Sequence, residues 1–224
     1  MAKTIHRKTQ QRLLEAAGEI FALHGFRKAT IREICKHAHA NVASVNYHFR
    51  NKNALYVAVL QYAHQCAVRK YPPDSGLRKE ATAKERLRAF IRSLLLRFLD
   101  EGRTAWYGKL IAREMTEPTP ALEILVEKEI RPLSRQLEFI VRELLNSPAS
   151  DDLIQLCVRS ILAQCIFYHH VRPVIDRLYP DQKYRPHDIE RLADHITRFS
   201  LGAIKELKKQ NTVTKKETVN VAGS

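Results

Sequence analysis

Glycine is scarce in this chain, 7 residues in 224, and nowhere clustered. No G-x-G-x-x-G, Walker or G-x-S-x-G pattern occurs, which excludes enzymes built on those phosphate-cradling loops or on a nucleophile elbow. Cysteine is equally sparse. Cys35, Cys66, Cys157 and Cys165 form no C-x-x-C pair and each sits among apolar residues at helical spacing, so reduced core thiols of a cytosolic protein are expected. No stretch reaches the roughly 20 apolar residues of a membrane helix, and the amino terminus, MAKTIHRK, lacks the apolar run of a signal peptide. A cytoplasmic chain without membrane contact is expected.

Acidic residues are also in short supply. Against 38 Lys and Arg stand 24 Asp and Glu, a net charge of +14, which suits a polyanionic partner: nucleic acid or an acidic membrane surface. Residues 1–52 hold ten Lys and Arg but three Asp and Glu, so half the surplus lies on less than a quarter of the chain. With 45% hydrophobic residues there is material for an ordinary core.

The basic end carries the most informative stretch, TIREICKHAHANVASVNYHFRNK, Thr30 to Lys52. Thr30 and Glu33 stand at capping-box spacing, which predicts a helix starting at Ile31, with Ile34, Cys35 and Ala38 on one narrow apolar stripe. His39 to Asn41 interrupts the pattern. Asn41 can cap a second helix over Val42 to Phe49, anchored inward by Val45 and Phe49. Ala43, Ser44, Asn46, Tyr47 and His48 are left to point elsewhere, with Val42 at the start. Small residues admit a backbone to base edges, Asn46 suits adenine, Ser44 reaches either base type and Ala43 can meet a thymine methyl. Asn51 can cap the next helix and set Lys52 near a phosphate. An isolated polar-faced helix of eight residues would carry no such meaning; the ordered set does.

Thr30, Ile34, Ala38, Val45, Tyr47, His48, Phe49, Lys52 and Leu55 resemble the DNA-binding signature of the TetR family of transcriptional regulators. The resemblance implies a three-helix head with a helix-turn-helix, followed by a helical dimerising and ligand-sensing body. His39 departs from it, standing where the family usually has glycine, so a left-handed backbone on a non-glycine residue is expected there, at a cost of about 1 kcal/mol.

Leu13, Ala17, Ile20 and Phe21 predict a first helix ended by Gly25, with Phe26 supplying the contact that accompanies such an ending. Leu55, Val59, Tyr62 and Cys66 predict a helix from Lys52 to about Tyr71. Thr82 and Glu85 form a capping box for a helix ending near Gly102. A shorter segment holds Trp106 to Ile111, and Pro120, at a first helical position, restarts a long helix that Pro132 should kink. Leu153 to Tyr168 is apolar on nearly every side. Ile189, Leu192, Ile196, Phe199, Ala203 and Leu207 read as one bundle seam, with a disordered polar tail following Lys208. The expected fold is all-α: a DNA-binding head at 1–53, a ligand-binding and dimerisation body at 54–208, and a tail at 209–224.

Within the body, REMTEPTPALEILVEKEIR, Arg113 to Arg131, and QCIFYHHVRPVIDRLYP, Gln164 to Pro180, resemble the carboxy-terminal domain of CerR-type TetR regulators. Trp106, Tyr107, Phe167 and Tyr168 are candidates to line a small-molecule pocket, with Arg113, Glu114, Gln164 or His169 orienting an unidentified effector. Aromatics at helical spacing are equally the ordinary stuff of cores. Cys165 and His169 share a helix face, yet two ligands do not make a metal site, and nothing supplies an orienter or oxyanion donors for catalysis. No catalytic residue, metal or cofactor is expected. The expected function is a homodimeric regulator, a ligand-responsive repressor of a palindromic double-stranded operator. The alternatives are a constitutive helical DNA-binding protein without effector, and a helical enzyme or carrier with an incidental basic end.

Overall fold

The computed structural model describes residues 2–99, 106–146 and 149–222, and their side chains from Lys8 to Gln210. Every regular element among them is helical: α1 (Ala2–Lys28), α2 (Ile31–His37), α3 (Val42–Phe49), α4 (Lys52–Lys70), α5 (Ala83–Leu99), α6 (Trp106–Thr116), α7 (Ala121–Leu125), a π-helical turn (Val126–Ile130), α8 (Arg131–Leu145), α9 (Asp151–His170), α10 (Arg172–Leu178) and α11 (Pro186–Ala222). The expected end of α5 near Gly102 lies outside the described residues. They form two compact units, Met1–Lys70 with Asp100–Pro132, and Tyr71–Leu99 with Leu133–Ser224.

In the first unit, α1 buries Leu13, Ala17, Ile20 and Phe21, and α4 buries Leu55, Tyr56, Val59, Leu60 and Ala63. The apolar face of α4 is rotated from the expected one: Tyr62 and Cys66 are only half-buried. Trp106 of α6 lies over Gly18 of α1, where an added Cβ would stand 2.6 Å from its ring. The α7 start is shifted by one residue, with Pro120 as the flanking residue and the Thr119 hydroxyl accepting from the Ala121 amide at 3.2 Å. Pro132 stands two residues after the π-helical turn, in the first turn of α8. A proline offers no amide proton and crowds the carbonyl four residues back, and a widened turn just before it accommodates both.

The second unit has its own core of Leu87, Phe90, Ile91, Leu95, Leu137, Val141, Ile161, Cys165 and Ile196, drawn from α5, α8, α9 and α11. The Thr82–Glu85 capping box is complete: the Glu85 amide donates to the Thr82 hydroxyl at 3.3 Å and the Thr82 amide donates to the Glu85 carboxylate at 2.7 Å. The bonds that the carboxylate accepts from the Thr82 amide and hydroxyl favour its ionised form and lower its pKa. The single seam expected on α11 is corrected. Ile189, Leu192, Ile196 and Ile204 enter the core, whereas Phe199 is 63% exposed and Ala203 is exposed as well. Such a repeat drifts only about 20° per heptad, so the row stays on one side of the helix, and what packs against it leaves Phe199 and Ala203 uncovered. The helix continues to Ala222, past Lys208.

Candidate nucleic-acid interface

The local rules that build α2 and α3 operate largely as the sequence suggests. The Thr30 hydroxyl accepts from the Glu33 amide at 3.2 Å. The other half of that capping box does not close, because the Glu33 carboxylate turns to His24 of α1 at 3.0 Å. A second pair, His37 to Glu19 at 2.6 Å, joins α2 to α1 further along. The turn runs through His39 at φ 48°, a left-handed backbone on a non-glycine residue. Asn41 then caps α3 by accepting from the Ala43 amide at 3.0 Å, an arrangement typically worth about 1 kcal/mol. Val45 and Phe49 are buried, which fixes the roll of α3.

That roll leaves Val42, Ala43, Asn46 and Tyr47 exposed, Tyr47 by 72%, with Ser44 and His48 half-buried beside them. Thr30 is exposed at the start of α2. The Tyr47 and His48 rings meet edge-on with centroids 5.0 Å apart. Seven of the eight sequence-expected DNA-facing residues thus lie at the surface of α3 and the α2 start. Lys52 is differently placed. Its ammonium donates to the Arg27 carbonyl at 3.2 Å and lies 4.8 Å above the Phe26 ring, and the partial desolvation lowers its pKa. Asn51 caps α4 by accepting from the Ala54 amide at 2.9 Å.

Near its end α1 is broken at Gly25, at φ 76° and ψ 166°, a region open essentially to glycine alone. The break strips the preceding carbonyls of their helical partners. Arg113 of α6 replaces them, Nε donating to Ala22 O at 3.1 Å and Nη2 to Leu23 O at 2.9 Å. Its neighbour Glu114, 1% exposed, accepts from the Tyr56 hydroxyl of α4 at 2.5 Å and from the Thr119 amide at 3.1 Å. Burial first, and the bond to Glu114 second, raise the Tyr56 pKa beyond any physiological range. Two adjacent residues of α6 therefore hold both α1 and α4. Phe26 packs with Phe21 and Tyr56, centroids 6.2 and 4.8 Å away.

The candidate ligand residues divide between the units. Trp106 is seated on Gly18, Tyr107 is buried 6.0 Å from the His64 ring, and Arg113 braces α1. In the second unit Gln164 donates to Ser160 O at 3.2 Å, Phe167 is 53% exposed, Tyr168 stands edge-on to Phe167, and His169 stacks on Phe98 at 5.6 Å. Cys165 is fully buried and desolvation pushes its thiol up to about 12. Among the described residues no group of three or more His, Cys, Asp or Glu is placed to hold a metal, and no helix is long and apolar enough to cross a membrane. The roles of Gly18, Tyr56 and Glu114 were not foreseen. An isolated glycine inside the first helical stripe was the only hint, since such a residue usually marks close packing.

Comparison with known proteins agrees with this geometry. Residues 13–59 match the model of the bacterial regulatory proteins of the tetR family, and residues 83–204 match the carboxy-terminal domain of the HTH-type transcriptional dual regulator CecR. This chain belongs to the TetR family. The two matched segments account for most of the chain, and the body is of the CecR type, which corrects the CerR designation. The chain is 27% identical over 169 residues to the HTH-type transcriptional dual regulator CecR of Shigella flexneri, covering 72% of this chain and 75% of that protein. Among solved structures it is similar to a transcriptional regulator of Rhodococcus sp. Rha1, with TM-score 0.62, 20% identity, and 87% and 96% of the two chains covered. The TetR family regulator PfmR of Thermus thermophilus shares the fold at TM-score 0.60 and 18% identity over 84% and 97% of the chains. The TetR-family protein is a DNA-binding transcriptional regulator and not an enzyme.

Proposed function

We propose that this regulator binds a palindromic operator as a homodimer and releases it on binding a small molecule, acting as a repressor. The observation that carries the DNA reading is the exposed row Val42, Ala43, Asn46 and Tyr47 on a helix whose roll is fixed by buried Val45 and Phe49. Thr30, Ser44 and His48 complete the contact, Asn46 reads a base edge, and Lys52 contributes a backbone contact through ammonium protons beyond the one given to Arg27. Selection of bound genomic fragments, followed by binding titrations on the recovered site and on random DNA, tests this. Equal affinity for both would leave a non-specific DNA binder.

Dimerisation is supported by apolar side chains left outside the second unit's core: Leu156 and Phe167 on α9 and Phe199 on α11, each about half exposed or more. Leu156 and Phe167 are eleven residues apart, three helical turns, and share a face. Two heads on a dimer would reach successive major grooves about 34 to 36 Å apart, and a ligand preferring a different spacing would release DNA by no more than its differential affinity. Thermal-shift screening for an effector, then its titration with and without operator, tests the ligand response. A ligand bound equally in both titrations is not the inducer.

A further inference from the structure

A cleft of about 870 Å³ opens in the first unit where α1 breaks at Gly25. That lies within the roughly 300–1,000 Å³ of sites that hold small ligands. The run His24 to Lys28 forms one side, and Arg113 with the turn at 117–120 forms the other. Tyr56 and Glu114, 2% and 1% exposed, are its deepest members. Its lining is of two kinds. Phe26, Pro118 and Pro120 bring apolar surface over the buried Tyr56, and Arg27, Lys28 and Arg113 bring cations.

The acids in the cleft do not balance those cations for a visitor. Glu114 already accepts from the Tyr56 hydroxyl and from both the amide and the hydroxyl of Thr119. Glu117 stands exposed at the margin. Arg113 gives Nε and Nη2 to the α1 carbonyls, while Nη1 lies against Gly25, 2.9 Å from where a Cβ would stand. A side chain at position 25 would close the approach that the glycine leaves open.

We propose that this cleft binds an aromatic carboxylate, its ring on Phe26 and the two prolines and its carboxylate towards Arg27, Lys28 and Arg113. A neutral aromatic would leave the cations unused, and a cation would meet them with no acid uncommitted in the depth of the cleft. The site shares a unit with the helix-turn-helix, so its occupant would bear directly on the end of α1. Binding stands by itself; its effect on DNA rests on the ligand-responsive reading above.

The test is calorimetry of the full chain with 2-naphthoate and with 2-naphthalenemethanol, an uncharged analogue of similar shape. The naphthoate is expected to saturate one site per chain and to bind at least about tenfold more tightly than the alcohol. The double variant Arg27→Gln, Lys28→Gln changes two exposed side chains and should melt as the parent does, yet lose about tenfold in naphthoate affinity with the alcohol unaffected. No saturation at millimolar naphthoate, equal binding of the alcohol, or an unchanged affinity in the double variant would each overturn the site. Operator titration at saturating naphthoate separates the second claim: weakened operator binding supports it, and unchanged operator affinity with naphthoate bound refutes the regulatory role while leaving the cleft's ligand in place.

Discussion

Replacing Gly18 with alanine sets two effects of opposite sign against each other. Alanine is favoured over glycine inside a helix by about 1 kcal/mol. Here, though, the new Cβ would stand 2.6 Å from two carbons of the Trp106 ring and 2.7 Å from a third, against the roughly 3.5–4.0 Å at which carbon atoms rest. An indole is rigid and cannot yield as the tip of a lysine does. Overpacking of this kind typically costs about 1–3 kcal/mol, so Gly18→Ala should destabilise the chain by a net of about 1 kcal/mol. In a Trp106→Ala background the obstruction is gone, and the same substitution should stabilise by up to about 1 kcal/mol. Urea unfolding of the four proteins, followed by circular dichroism, closes the cycle and gives the coupling. Trp106 is the only tryptophan, so its emission should also shift in the Gly18→Ala single variant as the ring is displaced. A gain in stability of equal size in both backgrounds would show that α6 does not lie on α1 in this way.

Other expectations concern the reading head and the second unit. Asn46→Ala should weaken operator binding by about 1 to 3 kcal/mol and leave random DNA nearly unaffected, and equal losses on both would remove it from base readout. Lys52→Gln should reduce the salt slope of DNA binding by about one; a lower melting temperature with the slope unchanged would confine Lys52 to its bond with Arg27. Phe199→Glu, at a side chain 63% exposed, should convert a dimer to monomers in sedimentation without unfolding, and an intact dimer would take Phe199 out of the interface. The Cys165 thiol, held up to about 12 against an ordinary 9.0 by burial, should resist iodoacetamide at pH 8.5 until urea is added. Its folded value is raised, so between about 9 and about 12 the folded chain holds a proton that the unfolded chain has lost: stability is unaffected below about 9, falls as pH rises through that window and levels off above it, while rapid labelling of the folded chain would contradict its burial.

What could be read without coordinates was whatever depends on neighbours in sequence. The bounds of α3, its Asn41 cap, its two buried anchors and the left-handed turn at His39 all follow from contacts within a few residues. The same is true of the Thr82–Glu85 capping box. Where a side chain had a distant partner, sequence reading did not find it. Glu33 was expected to close its own box and instead reached His24. Lys52, expected to face a phosphate, also donates to a carbonyl twenty-five residues away.

The sequence by itself determined the helical class, the basic amino-terminal segment and the bounds of α3, because periodicity, caps and turn residues act locally and leave few alternatives. Only the tertiary structure decided what those helices touch. Nothing near Arg113 in the chain foretells that it will cap α1, since the need arises about ninety residues earlier, at Gly25. Nor does the spacing on α11 say which apolar residues enter a core and which stay outside, because Phe199 and Ala203 keep to the same row as their buried neighbours and only what packs against that row fixes which of them is covered. The cleft at Gly25 belongs to the same class of fact: its walls come from α1, α4, α6 and the turn after α6, and no one of these segments carries a trace of it alone.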